Sequence, residues 1–239
     1  MVVLVIGGVD PTGASGLAAD LRTLLLRGVH GAPVVSALTV QDASGVRSVQ
    51  PVDLVDAISA VLETMPVRAV KIGMLAAGQA AVLARLLPAL PIVLDPVLEA
   101  SAGGTLAEAN AYAALLERVT VVTPNAREVA VLGEEPERWV ERTGVAVLLK
   151  GGHGEGREVV DRLLVKGAPP RVWRHPRLDV RNTRGTGCTL ASAIAAGLAL
   201  GESLTQATEE GLALVDRLLR VSDGAEIGPA PGPLLHHRG

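Results

Sequence analysis

Short apolar, β-rich runs alternate with longer segments of helical spacing along most of the chain, and this alternation restricts the fold more than any other feature. "VVLVIGG" (2–8) and "PVVSALTV" (33–40) read as strands buried on both faces. "RAVKIGM" (68–74), "PIVLDPV" (91–97), "VTVVTPN" (119–125) and "VAVLLKGG" (145–152) follow the same pattern. Between them the spacing predicts helices over 16–27, 52–64, 77–88, 107–117, 126–132 and 136–142. After 152 the pattern changes. "EVVDRLLVKG" and "RVWRHPRLDV" read as two extended segments, and helices are expected over 187–200 and 203–220. Strand–helix–strand succession needs crossover connections, so the expected class is α/β, with a mostly parallel sheet and helices on both faces. No internal repeat, low-complexity segment or linker divides the sequence. A single domain over 1–239 is expected, with the Gly- and Pro-rich stretch 221–239 running over the surface as a tail.

Composition enters as a set of exclusions. A net charge of −3 gives no basic footprint for nucleic acid and no polybasic membrane patch. The longest apolar run, within 190–200, falls short of the roughly 20 residues a membrane span needs. "MVVLVIGGVD" lacks the basic region of a signal peptide, so a cytoplasmic enzyme is expected. One cysteine rules out an intramolecular disulfide framework and a thiolate-cluster metal site. Only three lysines stand against nineteen arginines, which makes a lysine within a motif more noticeable.

In such sheets ligands bind beyond the carboxyl ends of the strands. The residues there are Gly8, Asp10, Gln41, Met74, Asp95, Asn125 and Lys150: a glycine turn, acids, amides and a lysine on one edge. Polar loops alone could produce that set. "RNTRGTGCTLASAIAAGLALG" (181–201) adds the one cysteine, directly after Gly-Thr-Gly. Cys188 reads either as a small buried hydrophobe or as a thiol at a helix N-terminus, where backbone N–H groups and the dipole favour a thiolate. Gly185, Thr186 and Gly187 form either an anion hole or ordinary turn chemistry. Asn125 and Glu128 read as a helix cap with an acidic first turn, or as an amide and a carboxylate suited to a water-laced Mg²⁺ beside phosphates. Lys150 either reaches a phosphate or is a solvated strand end. The chain has no G-x-x-x-x-G-K-[ST], no G-x-G-x-x-G after a strand, no H-E-x-x-H and no G-x-S-x-G.

Taken in order, "IGGVDPTGASGLAADLRT", "ALTVQDASGV", "AVKIGML", "VLDPV", "VTPNAREVAVL", "LLKGGH" and "NTRGTGCTLASAIAAGLA" span nearly the whole chain. With them the chain resembles the hydroxymethylpyrimidine/phosphomethylpyrimidine kinases of thiamine biosynthesis, in the ribokinase superfamily. The resemblance implies a three-layer ribokinase-like fold, ATP and Mg²⁺ as cofactors, and a homodimer. It implies phosphorylation of a small aminopyrimidine alcohol, 4-amino-5-hydroxymethyl-2-methylpyrimidine, and then of its monophosphate. Cys188 would be the base on the substrate hydroxyl, and Gly185 to Gly187 would hold the transferring phosphoryl group. Gln41 would hydrogen-bond the pyrimidine with Asp20 on the opposite side, Gly8 and Met74 lining the pocket and Asp10 close by. Lys150 would meet the ATP phosphates with Thr183 beside them. Asn125 and Glu128 would organise Mg²⁺, supported by Asp95.

The chain also departs from the family pattern. Ser101-Ala102 stands where a Lys-Ser pair is usual, Arg184 where histidine is usual, Asp42 where asparagine is usual, and Ala18 where glutamine is frequent; segment 133–144 is trimmed. Arg184, a permanent cation next to the anion hole, is expected either to neutralise phosphate charge in place of the missing lysine or to be merely solvated. Three rival functions stay open. They are a pyridoxal kinase, disfavoured by Gln41 and Met74; a non-catalytic pyrimidine-phosphate sensor, which would not need Cys188, Lys150 and Glu128; and a cysteine hydrolase. The hydrolase would need His30, His153, His175, His236 or His237 as its base, and none is spaced toward Cys188.

Overall fold

Period-two alternation in the buried strands sorts side chains onto the two faces of one sheet. In β1 (Val2–Val9) Leu4 and Ile6 face one side, Val3 and Val5 the other, and all four are fully buried. The computed structural model describes residues 1–42, 44–99, 103–152, 156–229 and 231–239. Within them lie β2 (His30–Asp42), β3 (Gly45–Pro51), β4 (Val67–Ile72), β5 (Ile92–Leu94), β6 (Val121–Val122), β7 (Ala146–Leu149), β8 (Glu158–Leu164) and β9 (Arg171–Pro176). Among the described residues these form one nine-stranded sheet, ordered β3-β2-β1-β4-β5-β6-β7-β8-β9. It is parallel from β2 to β7 and antiparallel at both flanks.

The helices are α1 (Gly16–Leu26), α2 (Val55–Thr64), α3 (Gln79–Leu86), α4 (Pro136–Thr143), α5 (Thr186–Leu200) and α6 (Leu204–Ser222). Ile58, Leu83 and Trp139 pack α2, α3 and α4 onto the Leu4/Ile6 face. Leu24, Ile194 and Ala207 pack α1, α5 and α6 onto the Val3/Val5 face. The result is three layers. α5 is apolar almost all round, as a helix must be when it is wedged between a sheet and another helix.

Several elements differ from the sequence expectation for identifiable reasons. The strands expected over 91–97 and 119–125 contract to β5 and β6, because Pro96 and Pro124 have no N–H to continue the ladder. The helix expected over 107–117 is a pair of 3-10 turns, Ala109–Tyr112 and Leu116–Arg118. Tyr112 is fully buried with its hydroxyl donating to the Val97 carbonyl at 3.0 Å, and Leu115 packs beside it at the three-residue spacing of the tighter turn. The helix expected over 126–132 is a 3-10 turn, Val129–Leu132. β3 has no counterpart in the sequence reading, since "GVRSVQP" is a largely exposed edge with little apolar alternation. Ser101, Ala102 and His153 lie outside the described residues.

The expected surface tail is the largest correction. β10 (Asn182–Arg184) pairs in parallel with β11 (Gly232–Pro233), and Leu234 and Leu235 are buried. Leu234 joins Leu214 and Leu218 of α6. His236 is buried, its Nε2 3.0 Å from Thr189 Oγ1 and its Nδ1 3.2 Å from the Leu234 carbonyl. The Gly and Pro residues around it mask a short apolar anchor whose backbone donors β10 accepts. Leu234→Ala should cost about 2–4 kcal/mol in urea unfolding, as for a core leucine. A loss under about 0.5 kcal/mol, as at ordinary surface sites, would show the segment undocked.

Candidate active site

The crevice opens beside β1, where the strand order steps to β2 on one side and to β4 on the other. Residues beyond the carboxyl ends of β1, β2, β4, β5, β6 and β7, together with the start of α5, line one cavity of about 530 Å³. Gly8, Asp10, Asp20, Gln41, Met74, Asp95, Asn125, Glu128, Lys150, Thr183, Gly185, Thr186, Gly187 and Cys188 are all on its wall. Arg184 is not. Alternation along β10 leaves Thr183 exposed to the cavity and turns Asn182 and Arg184 into the protein. Arg184 Nη2 lies 3.0 Å from Asp10 Oδ2 with both side chains buried, so the expected phosphate-facing cation is an internal ion pair.

The centre of the cavity is built around the entrance of α5. Gly185 takes the left-handed conformation (φ 87) that glycine tolerates without strain, and a Cβ there would stand 2.4 Å from the Ala14 carbonyl oxygen. No side chain caps the helix, so its first N–H groups are free to receive an anion. Below them Lys150 Nζ lies 2.7 Å from Asp95 Oδ1 and 3.5 Å from Glu128 Oε2. A Cβ on Gly187 would stand 3.4 Å from that ammonium, so only glycine leaves it open to a ligand of the helix entrance. Asn125 and Glu128 cap each other: the Asn125 N–H donates to Glu128 Oε2 at 2.9 Å, and the Glu128 N–H to Asn125 Oδ1 at 3.1 Å. Both nevertheless reach the cavity wall.

Electrostatics follow from this packing. Burial disfavours the charged form of Asp95, but the ammoniums of Lys150 and Lys71 outweigh it and hold the carboxyl below its ordinary value. Burial pushes Glu128 up despite Lys150. Burial also opposes the charge on Lys150, yet Asp95 and Glu128 keep it above its ordinary value. Among the described residues no three His, Cys, Asp or Glu side chains form a ready-made metal cluster. Asp95 and Glu128 still supply hard oxygen donors at the phosphate end, which suits an Mg²⁺ that keeps several waters and arrives on phosphates.

Gly8, Gln41, Met74 and Asp20 line the same cavity, and Gly8 packs so close to Met74 that a Cβ there would stand 2.9 Å from its sulfur. Lys71, which the sequence reading misses, is also on the cavity wall. Its Nζ lies 2.8 Å from Asp20 Oδ1, which also accepts the Ser192 hydroxyl at 2.8 Å, and both members of the pair are fully buried. The signal was present in β4: Lys71 shares a face with the buried Ala69, whereas the strand's other charged residue, Arg68, is exposed near its start. Burial works against the Lys71 charge, but Asp20 outweighs it and the ammonium is held above its ordinary value. Burial pushes the Asp20 carboxyl up, with Lys71 and Ser192 offsetting only part of the effect.

Cys188 is half-buried on the cavity wall in the first turn of α5, with the Gly16 N–H directed at its sulfur. Burial pushes its thiol up to about 12 against the opposing pull of Lys71, the direction opposite to that in which a helix N-terminus acts on a thiol. Leu178, Val180, Leu212, Val215 and Leu219 add an apolar stretch to the same cavity wall.

Comparison with known proteins agrees with this geometry. The family model described as phosphomethylpyrimidine kinase matches residues 10–235. The hydroxymethylpyrimidine/phosphomethylpyrimidine kinase of Rhizobium meliloti is 39% identical over 262 residues, covering 99% of this chain and 97% of that protein. The thiamine biosynthesis multifunctional protein ThiED of Corynebacterium efficiens is 35% identical over 98% of this chain, which spans only 35% of that protein's length. The crystal structure of an ADP complex of Bacillus subtilis pyridoxal kinase matches with a TM-score of 0.85 at 23% identity, over 99% of this chain and 98% of that one. The shared fold is ribokinase-like.

Iodoacetamide should alkylate Cys188 of the unliganded protein more slowly than free glutathione at about pH 7.5. The rate should rise about tenfold per pH unit, because only the thiolate reacts and its population grows with pH below the pKa. A rate at or above that of glutathione would contradict a thiol raised by burial.

Proposed function

This chain belongs to the phosphomethylpyrimidine kinase family, and from that membership and the cavity we propose that it phosphorylates 4-amino-5-hydroxymethyl-2-methylpyrimidine and then its monophosphate, using ATP. The observation that carries the proposal is that Cys188 lies on the cavity wall at the uncapped start of α5, within electrostatic reach of Lys71, Asp20 and Asp95. The apolar stretch of the wall receives the adenine, and the α5 N–H groups with Lys150 neutralise the transferring phosphoryl group. Mg²⁺, held by Asp95, Glu128 and Asn125, would supply charge neutralisation between phosphate oxygens. Gln41 and Asp20 fix the pyrimidine so that its hydroxymethyl oxygen points toward the phosphoryl end. Cys188, as the thiolate left once its own proton has passed to solvent, takes the hydroxyl proton as the bond from the substrate oxygen to the γ-phosphorus forms and the bond from that phosphorus to the β-phosphate oxygen breaks, releasing ADP. The resting thiol is protonated, so turnover should rise with pH through neutrality.

The protein acts as one domain in the cytoplasm. A homodimer is supported by Leu38 and Val40, which β2 leaves half-exposed beside the edge strand β3. Among the described residues no helix is long and apolar enough to cross a membrane. The hydrolase reading is disfavoured because His175 is engaged by Asp161 and His236 by Thr189 rather than by Cys188.

ATP consumption measured in parallel with hydroxymethylpyrimidine, its monophosphate and pyridoxal tests the proposal. Both pyrimidines should be consumed, with pyridoxal at least about tenfold slower in kcat/KM, a difference of about 1.4 kcal/mol. A preference for pyridoxal would overturn the substrate assignment. Cys188→Ala should lower kcat by about 10²-fold or more while pyrimidine binding persists, and Cys188→Asp should recover part of the loss. Near wild-type turnover of Cys188→Ala would remove the thiol from the mechanism.

A further inference from the structure

The Asp10–Arg184 ion pair joins residues 174 positions apart and lies beneath the cavity wall. Asp10 is saturated with donors. Its Oδ1 accepts the Thr12 N–H and hydroxyl at 2.9 and 2.7 Å, and its Oδ2 accepts the Ser15 N–H and hydroxyl at 3.0 and 2.8 Å. Arg184 Nη2 adds the fifth bond at 3.0 Å. The four local donors fold residues 10–16 into the tight loop that starts α1, and Asp10, Ser15 and Gly16 of that loop line the cavity. Arg184 immediately precedes Gly185, whose turn opens the phosphoryl end.

The same two segments meet at two further points. The Ala14 carbonyl packs where a Cβ of residue 185 would stand, and the Gly16 N–H is directed at the Cys188 sulfur. Both of these are backbone contacts with short range and no charge. The ion pair is the side-chain link between the loops, and a well-packed apolar pair could hold them together equally well. What a charged, hydrogen-bonded link adds is a defined register.

We infer that Arg184 is a positioning residue which, through Asp10, holds the acceptor-side loop 10–16 in register with the phosphoryl-side turn 185–188. The inference rests on the kinase reading of the cavity and deepens it. In-line transfer needs the hydroxyl oxygen about 3–3.5 Å from phosphorus, so slack between the loops should cost turnover more than nucleotide binding. Arg184 thus acts without touching phosphate, which separates it from a charge-neutralising role.

The full-length Arg184→Met, Arg184→Lys and Asp10→Asn variants test this through ADP affinity by calorimetry, kcat and KM for hydroxymethylpyrimidine, and ATP hydrolysed per pyrimidine phosphorylated. Arg184→Met should lower kcat by about 10- to 100-fold, keep the ADP Kd within about threefold, and raise hydrolysis without transfer. Arg184→Lys should return kcat to within about fivefold of the wild type, because a cation again reaches Asp10. Wild-type kcat in Arg184→Met overturns the inference. So does a kcat loss matched by an equal loss of ADP affinity with no recovery in Arg184→Lys. If Arg184→Met does not fold, Asp10→Asn decides: a kcat loss with ADP affinity retained supports the register, and undiminished turnover overturns it. A wild-type protein that phosphorylates no pyrimidine would instead defeat the kinase reading itself, which these variants leave separate.

Discussion

The ion pair between Lys71 and Asp20 is the interaction on which the rest of the site depends. Two opposite charges 2.8 Å apart are removed from water between β4 and α1, and Ser192 ties the same carboxylate to α5. Burying ions costs several kcal/mol each, and only close pairing with further hydrogen bonds offsets that cost. Asp20 Oδ2 has no hydrogen-bond partner among the described residues, although it is buried at the cavity wall. A polar ligand group at that position would complete the carboxylate. β4, α1 and α5 therefore meet at one buried charge centre.

The charges alternate through the cavity floor from Asp20 and Lys71 to Asp95, Lys150 and Glu128. Within this series Cys188 shows which of two effects wins. A helix N-terminus contributes about 0.3–2 kcal/mol toward an anion, equivalent to at most about 1.5 pK units. Burial can move a group by about 3–5 units in the opposite direction. Burial prevails in the resting protein, and Lys71 is the fixed positive charge that opposes it. A raised thiol is compatible with phosphoryl transfer, whose loose transition state depends more on positioning and charge neutralisation than on early proton removal.

Much of the fold and of the cavity wall was legible because strand–helix alternation brings strand ends to one edge. Gly8, Gln41, Met74, Asp95, Asn125 and Lys150 meet there for that reason. Arg184 was misread because β10 is three residues long, too short to display the alternation that separates it from Thr183. Lys71 was passed over because it lies within β4 rather than after its carboxyl end, where ligand-facing residues are sought. The tail hid its anchor, Leu234 to His236, behind Gly and Pro residues, and the contact with Thr189 is visible only in three dimensions. The 3-10 turns near 109–118 and 129–132 follow from tertiary packing and a glycine stop, which helical periodicity does not report.

Lys71 is thus proposed as the charge that lets Asp20 and Cys188 work in the cavity. The most direct test is turnover of hydroxymethylpyrimidine by Lys71→Met, measured beside ADP affinity on the same protein. Loss of a preorganised charge of this kind should lower kcat by about 10²-fold or more with the ADP Kd within about threefold. Turnover within about twofold of the wild type, with ADP binding intact, would contradict the central role of the buried pair.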